Sequence, residues 1–349
     1  MASKTENRKL DHINICSDEG VEAKEKSTML ELVDFVHEAL PEINIDEIDL
    51  SVELFGKKLN APIIISAMTG GHAVAEKINK NLAKAAQKLG VGFGVGSQRA
   101  MIEDEKLAYT YQVRDVAPDI LVIGNIGAPQ IREYEKGEVQ KAVEDIEADV
   151  LAVHLNALQE VIQPEGDTDF KGFADDIGKL VKKMKVPVIV KETGAGISKE
   201  AAKELIEKGV AGIDTGGAGG TSFAAVEYKR TKGKDTGLWD WGIPTAASIL
   251  EVRSVSKDIP LIATGGIRTG MSVAKTIALG ADAAGIGLPL LNAARESSEK
   301  VEEELEKIID SLKKAMFLTG SASLGELKKK KIVLKGELYN WAVQRGLNG

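Results

Sequence analysis

The 349-residue sequence predicts an α/β protein, a closed (β/α)8 barrel with an N-terminal extension and C-terminal helices. Three observations predict it. From residue 61 onward, eight short apolar runs alternate with amphipathic stretches of helical period. The runs are too uniformly apolar for one wet face, so they read as parallel strands covered by helices on both sides. Polar and glycine motifs follow nearly every run, as expected when eight loops converge on one end of a barrel. An open doubly wound sheet, the main alternative, usually carries a single glycine fingerprint at its first strand–helix turn.

The first run, residues 61–66, leads into Met68-Thr69-Gly70-Gly71 and a helix over 73–89. Residues 91–95 end in Gly96-Ser97-Gln98-Arg99, and residues 120–124 end at Asn125. Residues 150–154 run into Asn156 and Gln159-Glu160, and the fifth run, 187–191, ends at Lys191. The sixth, 211–214, precedes a glycine-rich stretch from Gly216 to Ser222. The seventh, 260–263, opens into Thr264-Gly265-Gly266-Ile267-Arg268, and the eighth, 281–286, into Gly287-Leu288. Residues 61–349 are thus the barrel with its C-terminal helices. Residues 1–60 form the extension, with an amphipathic stretch over 28–40 and a strand over 48–54. A charged helix over 293–312, a Gly/Ser break over 320–325 and a short last helix follow the barrel. No linker divides two domains. Residues 223–242, with Trp239 and Trp241, read as a long connection, a lid or an oligomer contact.

Composition narrows the function. The net charge of −8, from 45 basic and 53 acidic residues, argues against nucleic acid or an anionic membrane as partner. An anionic substrate therefore needs a local basic cluster. Cys16 is the one cysteine, which rules out an intramolecular disulfide and a thiolate metal cluster. The N-terminus is polar, and no apolar run approaches the roughly 18 residues of a membrane span, so a cytoplasmic location is expected.

Several motifs carry chemistry. Loops after the seventh and eighth strands are the recurrent phosphate site of such barrels. Gly265, Gly266 and Gly287 let backbone N–H groups approach phosphate oxygens, and Arg268 adds a charged donor. Lys191 should enter the barrel mouth, where it can stabilise negative charge on a ligand such as a reduced flavin. His154, Asn156, Gln159 and Glu160 gather within seven positions at the catalytic face. Glu160 suits a divalent cation such as Mg²⁺, which binds through one or two carboxylates and substrate phosphates. His154 and Gln159 suit hydrogen bonds to a diphosphate. Arg99 suits phosphate, and Gln98 and Asn125 suit hydrogen bonding. Arg8-Lys9 is a basic pair in the extension.

Together these motifs resemble the FMN-dependent, type 2 isopentenyl diphosphate isomerases. The likeness covers Arg8-Lys9-x-Asp11-His12, Ala67-Met68-Thr69-Gly70-Gly71, Gly96-Ser97-Gln98-Arg99 and His154-x-Asn156-x-x-Gln159-Glu160. It continues through Lys191-Glu192, Gly219-Gly220-Thr221-Ser222 and Gly265-Gly266-Ile267-Arg268. The resemblance implies FMN contacts from Ala67, Met68, Thr69, Ser97, Asn125, Lys191, Thr221, Gly265, Gly266, Ile267, Arg268, Gly287 and Leu288. It implies diphosphate contacts from Arg8, Lys9, Ser97, Gln98, Arg99, His154, Asn156 and Gln159, with Mg²⁺ on Glu160. Lys191, His154 and Gln159 would be the catalytic residues. Gly287-Leu288 departs from the Ala-Leu frequent in the family. The implied reaction converts isopentenyl diphosphate to dimethylallyl diphosphate in isoprenoid biosynthesis. Reduced FMN would act as acid and base, with NAD(P)H only as its reductant. The resemblance also implies a homo-oligomer, a tetramer or octamer. The rival is an FMN-dependent 2-hydroxy-acid oxidase or dehydrogenase, a class that places a histidine beside an arginine after the sixth strand. Residues 215–221 here contain neither.

Overall fold

The computed structural model describes residues 11–17, 20–134 and 136–347. Its strands are β1 (Val33–Phe35), β2 (Val52–Leu54), β3 (Lys57–Leu59), β4 (Ile63–Ile65), β5 (Gly92–Gly94) and β6 (Val122–Gly127). They continue with β7 (Val150–Leu155), β8 (Val188–Glu192), β9 (Gly212–Asp214), β10 (Leu261–Ala263), β11 (Ala283–Ile286) and β12 (Ile332–Leu334). Strands β4 to β11 close into one eight-stranded barrel in which each pairs in parallel with its successor and β11 returns to β4. The expected barrel is therefore present.

Side-chain alternation along each strand explains how the barrel is filled. Ile64, Ile123, Val150, Ala152, Ile189, Ile262 and Ala283 form one apolar cluster, and the intervening Val122, Leu151, Val188, Val190 and Ile213 belong to the larger core under the helices. The first set points into the barrel. Leu54, Leu59 and Phe55 of the β2–β3 hairpin join that inner cluster. A Cβ at Gly212 would lie 2.9 Å from Phe55 Cζ, so glycine there leaves room for the ring. The hairpin thus plugs the N-terminal end of the barrel, and the C-terminal end stays open. One inward step above the apolar layer stand Ser66, Asn125, His154, Lys191, Asp214 and Thr264, all lining one cavity. Apolar below and polar above, this layering places the chemistry.

Outside the barrel several expectations change. Residues 28–40 are not one amphipathic element. Met29 takes a left-handed φ of 58°, a single 3-10 turn covers Leu30–Leu32, and β1 then pairs antiparallel with β12. That partner lies some 300 residues away, which a local pattern does not reveal. The strand expected over 48–54 is confined to β2. The expected helix over 293–312 is two, Leu288–Glu296 and Ser298–Leu318. They are separated by Ser297, whose extended backbone and hydroxyl cap the second. Residues 223–242 are not all loop. Ser222 accepts from Ala225 N at 3.1 Å and caps a helix over Phe223–Thr231. Trp239 is tied to the extension: its Nε1 donates to Glu22 O at 2.9 Å, and Lys24 Nζ stands 3.5 Å over its ring. Among the described residues no helix is long and apolar enough to cross a membrane.

Candidate active site at the barrel mouth

The cavity at the open end has a volume of about 240 Å³ and receives side chains from all eight strand–helix loops. One wall is the pair of glycine loops. Gly265 has φ 108°, and a Cβ there would collide with Gly217 O; Gly266 has φ 68°, and a Cβ there would strike Thr28 Cγ2. Glycine is required at both positions, because the 216–222 loop and the extension press on them from outside. Thr264 ties the two loops together: Gly217 N donates to its carbonyl at 2.8 Å and Gly216 N to its hydroxyl at 3.0 Å. The extension seals the seam through Ala23 N to Gly220 O and Ala246 N to Thr28 O, both 2.9 Å. Arg268 lines the cavity while its guanidinium pairs with Glu22 of the extension.

The opposite wall is a set of polar clusters. His154 Nδ1 lies 2.9 Å from Asn125 Oδ1, which orients the ring toward the cavity. Lys191 Nζ donates to Glu192 O at 3.0 Å. The Glu192 carboxyl is buried and accepts from Thr193 N and Gly194 N at 2.6 Å and from Ala195 N. Burial pushes this carboxyl up to about 7, although the three amides and Lys191 pull it down. Glu160, also buried, accepts from Asn156 Nδ2 at 2.7 Å, Gln163 Nε2 at 2.5 Å and Asp167 N at 2.9 Å. Behind the lining residues His12 and Gln159 a third carboxylate, Glu227, accepts from His12 Nε2 at 3.1 Å, Gln159 Nε2 at 2.8 Å and Arg230 Nε at 2.7 Å. Burial alone would raise Glu227, but these partners, His12 foremost, outweigh it and hold the carboxyl at about 2.

Most residues singled out from sequence converge here. Ala67, Met68, Ser97, Arg99, Asn125, His154, Asn156, Gln159, Glu160, Lys191, Thr221, Gly265, Gly266, Ile267, Arg268, Gly287 and Leu288 all line the cavity. Arg99 does so with its charge already shared with Glu103 at 2.7 Å and Glu133 at 3.5 Å. Gln98 is turned away from the lining. It is fully buried, donates to Ala142 O at 2.7 Å and accepts from Asn125 N at 2.9 Å, so it braces β6. Thr69 is buried behind the wall, its hydroxyl without a partner. Arg8 and Lys9 lie outside the described residues. Glu227 is not evident from the sequence pattern, because its helix, Phe223–Thr231, falls within the stretch that reads as a long connection. The Ser222 cap was the available signal. The motifs also do not single out Asp214 and Ser66, the last residues of their apolar runs.

The mouth suits a ligand with a phosphate and a flat polar ring. Gly265, Gly266 and Gly287 line it without side chains, Lys191 and Asn125 supply polar groups opposite, and the buried Ser66 Oγ in the lining has no protein partner.

Comparison with known proteins agrees. The profile of the FMN-dependent dehydrogenase family matches residues 1–112 and 135–334. Among solved structures, lactate oxidase of Pediococcus acidilactici superposes with a TM-score of 0.69 at 18% identity, over 95% of this chain and 93% of that one. Flavocytochrome b2 gives 0.67 at 19% identity, over 93% and 83%. At such identities these structures share the fold alone. The sequence relatives are nearer. Isopentenyl-diphosphate delta-isomerase of Archaeoglobus fulgidus is 49% identical over 98% of this chain and 99% of its own. That of Methanosarcina mazei is 47% identical over 100% and 97%, and that of Methanothermobacter thermautotrophicus 49% over 97% and 96%. The chain belongs to the FMN-dependent dehydrogenase family and, within that barrel fold, to the isopentenyl-diphosphate delta-isomerases.

Proposed function

We propose that the protein converts isopentenyl diphosphate to dimethylallyl diphosphate, with FMN bound against the glycine loops and Mg²⁺ at Glu160. The observation that carries this reading is the cluster of His12, Gln159 and Glu227 at the mouth, in a site whose 215–221 loop holds no histidine or arginine. Hydroxy-acid oxidation needs a base at that loop; double-bond migration needs protons given and taken with no net electrons. Bound reduced FMN would supply the acid/base capacity.

This chain's own side chains then hold and orient. Lys191, in the cavity lining, would stabilise negative charge on the bound flavin. Gly265, Gly266, Ile267, Arg268, Gly287 and Leu288 would hold the cofactor's phosphate, and Ala67, Met68, Ser97, Asn125 and Thr221 would make its other contacts, with Thr69 supporting the wall from behind. His154, Asn156, Gln159, Ser97 and Arg99 take the diphosphate, joined by Arg8 and Lys9 of the extension; Gln98 acts through Asn125. Gln159 is held in place by Glu227. The buried Asn156 Oδ1 and Gln163 Oε1 flank Glu160 without protein partners, which supports a cation there. Among the described residues no cluster of three His, Cys, Asp or Glu side chains could hold a metal. Mg²⁺ would therefore depend on Glu160 together with the substrate diphosphate. We further propose NAD(P)H as the flavin reductant, a cytoplasmic location and a homo-oligomeric state, tetramer or octamer.

The test is anaerobic incubation of the prereduced FMN protein with isopentenyl diphosphate and Mg²⁺. Dimethylallyl diphosphate is the expected product, and its absence rejects the proposal. Glu160→Gln is expected to lose Mg²⁺ dependence and most activity while keeping FMN; loss of FMN instead would reassign Glu160.

A further inference from the structure

The polar layer of the mouth holds two ionisable groups whose relation the roles above leave unused. Lys191 on β8 and Asp214 on β9 are register partners, and each stands two residues above the apolar layer of Ile189 and Gly212. Partners in register on neighbouring parallel strands project to the same side, and both residues line the cavity. Asp214 is 7% exposed. Its Oδ1 accepts from Gly216 N at 3.2 Å and is bonded to Thr264 Oγ1. Gly216 N also donates to Thr264 Oγ1 at 3.0 Å, which occupies an acceptor site of that hydroxyl and leaves its proton for Asp214. Both bonds therefore suit an ionised carboxylate. Burial has the largest influence and holds the Asp214 carboxyl above the usual carboxylate range, while Lys191 first, then Thr264 and Gly216, draw it back down. Lys191 Nζ donates to Glu192 O, and Asp214 is its partner on the neighbouring strand. Two other ionisable groups of the lining, His154 and Glu192, bond to Asn125 and to three backbone amides.

We propose that Asp214 is the counter-ion of the cofactor floor, a carboxylate that offsets the charge of Lys191 beneath the ring and limits how strongly the site stabilises reduced FMN. The inference rests on FMN lying above Lys191. In a low-dielectric, water-poor site a single neighbouring charge acts strongly on a ring that gains negative charge on reduction. An uncompensated Lys191 would favour the reduced form too far and make the ring a poorer base toward substrate carbon.

The experiment is anaerobic measurement of the FMN midpoint potential against a reference dye. It compares the wild-type protein with Asp214→Asn, Lys191→Met and the double variant. Asp214→Asn is expected to shift the potential upward, Lys191→Met downward, and the double variant back toward wild type. Asp214→Ser, smaller and equally neutral, shifts upward as well and serves if the Asn protein does not fold. An unchanged or lowered potential in the neutral variants overturns the counter-ion proposal alone. Failure of the wild-type protein to bind FMN overturns it together with the cofactor assignment.

Discussion

Glu227→Gln probes the cluster that distinguishes this mouth. Glu227 is fully buried and accepts from His12, Gln159 and Arg230. Its carboxyl sits at about 2, against a usual 4.5. A gap of that size corresponds to about 3 kcal/mol at about 1.36 kcal/mol per unit. His12 is 20% exposed, so solvent screening reduces the expected contribution to about 2 kcal/mol. Because the folded value is depressed, this stability is fully present above pH 4.5 and is lost as the pH falls from there toward 2. Urea denaturation of both proteins at a series of pH values between about 7 and 3 should give a Gln variant less stable by about 2 kcal/mol at neutrality. The difference should narrow below pH 4.5. The variant should also lose roughly 100-fold in turnover, the scale of a displaced acid/base or orienting group. A stability difference that is constant with pH would refute the reasoning, since a purely steric defect behaves that way.

Other perturbations follow from the same geometry. Glu192 has the opposite sign: its carboxyl is raised to about 7, so wild-type stability falls as pH rises from 4.5 to 7, and Glu192→Gln should flatten that slope in pH-dependent denaturation. Glu251 is fully buried and accepts from Trp341 Nε1 at 2.9 Å, Arg345 Nε at 2.8 Å and Lys199 N at 2.9 Å. Glu251→Ala should destabilise by about 2 kcal/mol in urea melts, less than a wholly buried pair because Arg345 is partly exposed. Glu22→Gln frees Arg268 for a cofactor phosphate and should tighten FMN binding by up to about fivefold in a fluorescence titration, the scale of one exposed ion pair. The Cys16 thiol is pushed by burial from 9.0 to about 11, so it should react with a disulfide reagent about 100-fold more slowly than a free thiol.

The barrel was legible because its signal is local. Each strand is an apolar run closed by a glycine or polar residue, and the expected 150–154 and 187–191 match Val150–Leu155 and Val188–Glu192 to within a residue. The lining was legible for the same reason: residues at strand ends must point into the mouth. What stayed hidden depends on distant partners. The antiparallel pair of Val33–Phe35 with Ile332–Leu334 joins the two ends of the chain. Gln98 carries a side chain suited to a ligand, yet its amide is consumed by Ala142 O and Asn125 N. Glu227 becomes a site residue only when its helix packs beside Ala157–Ile162, which no single-segment pattern shows.

The central claim is proton chemistry on isopentenyl diphosphate without net electron transfer. Its most direct test is one anaerobic incubation in D2O with prereduced FMN, Mg²⁺ and isopentenyl diphosphate, followed by NMR of the product and the visible spectrum of the flavin. The expected result is dimethylallyl diphosphate carrying solvent deuterium, with the flavin still reduced when the reaction ends. No deuterated product, or a flavin in the oxidised protein that bleaches instead on adding lactate or glycolate, would contradict the account.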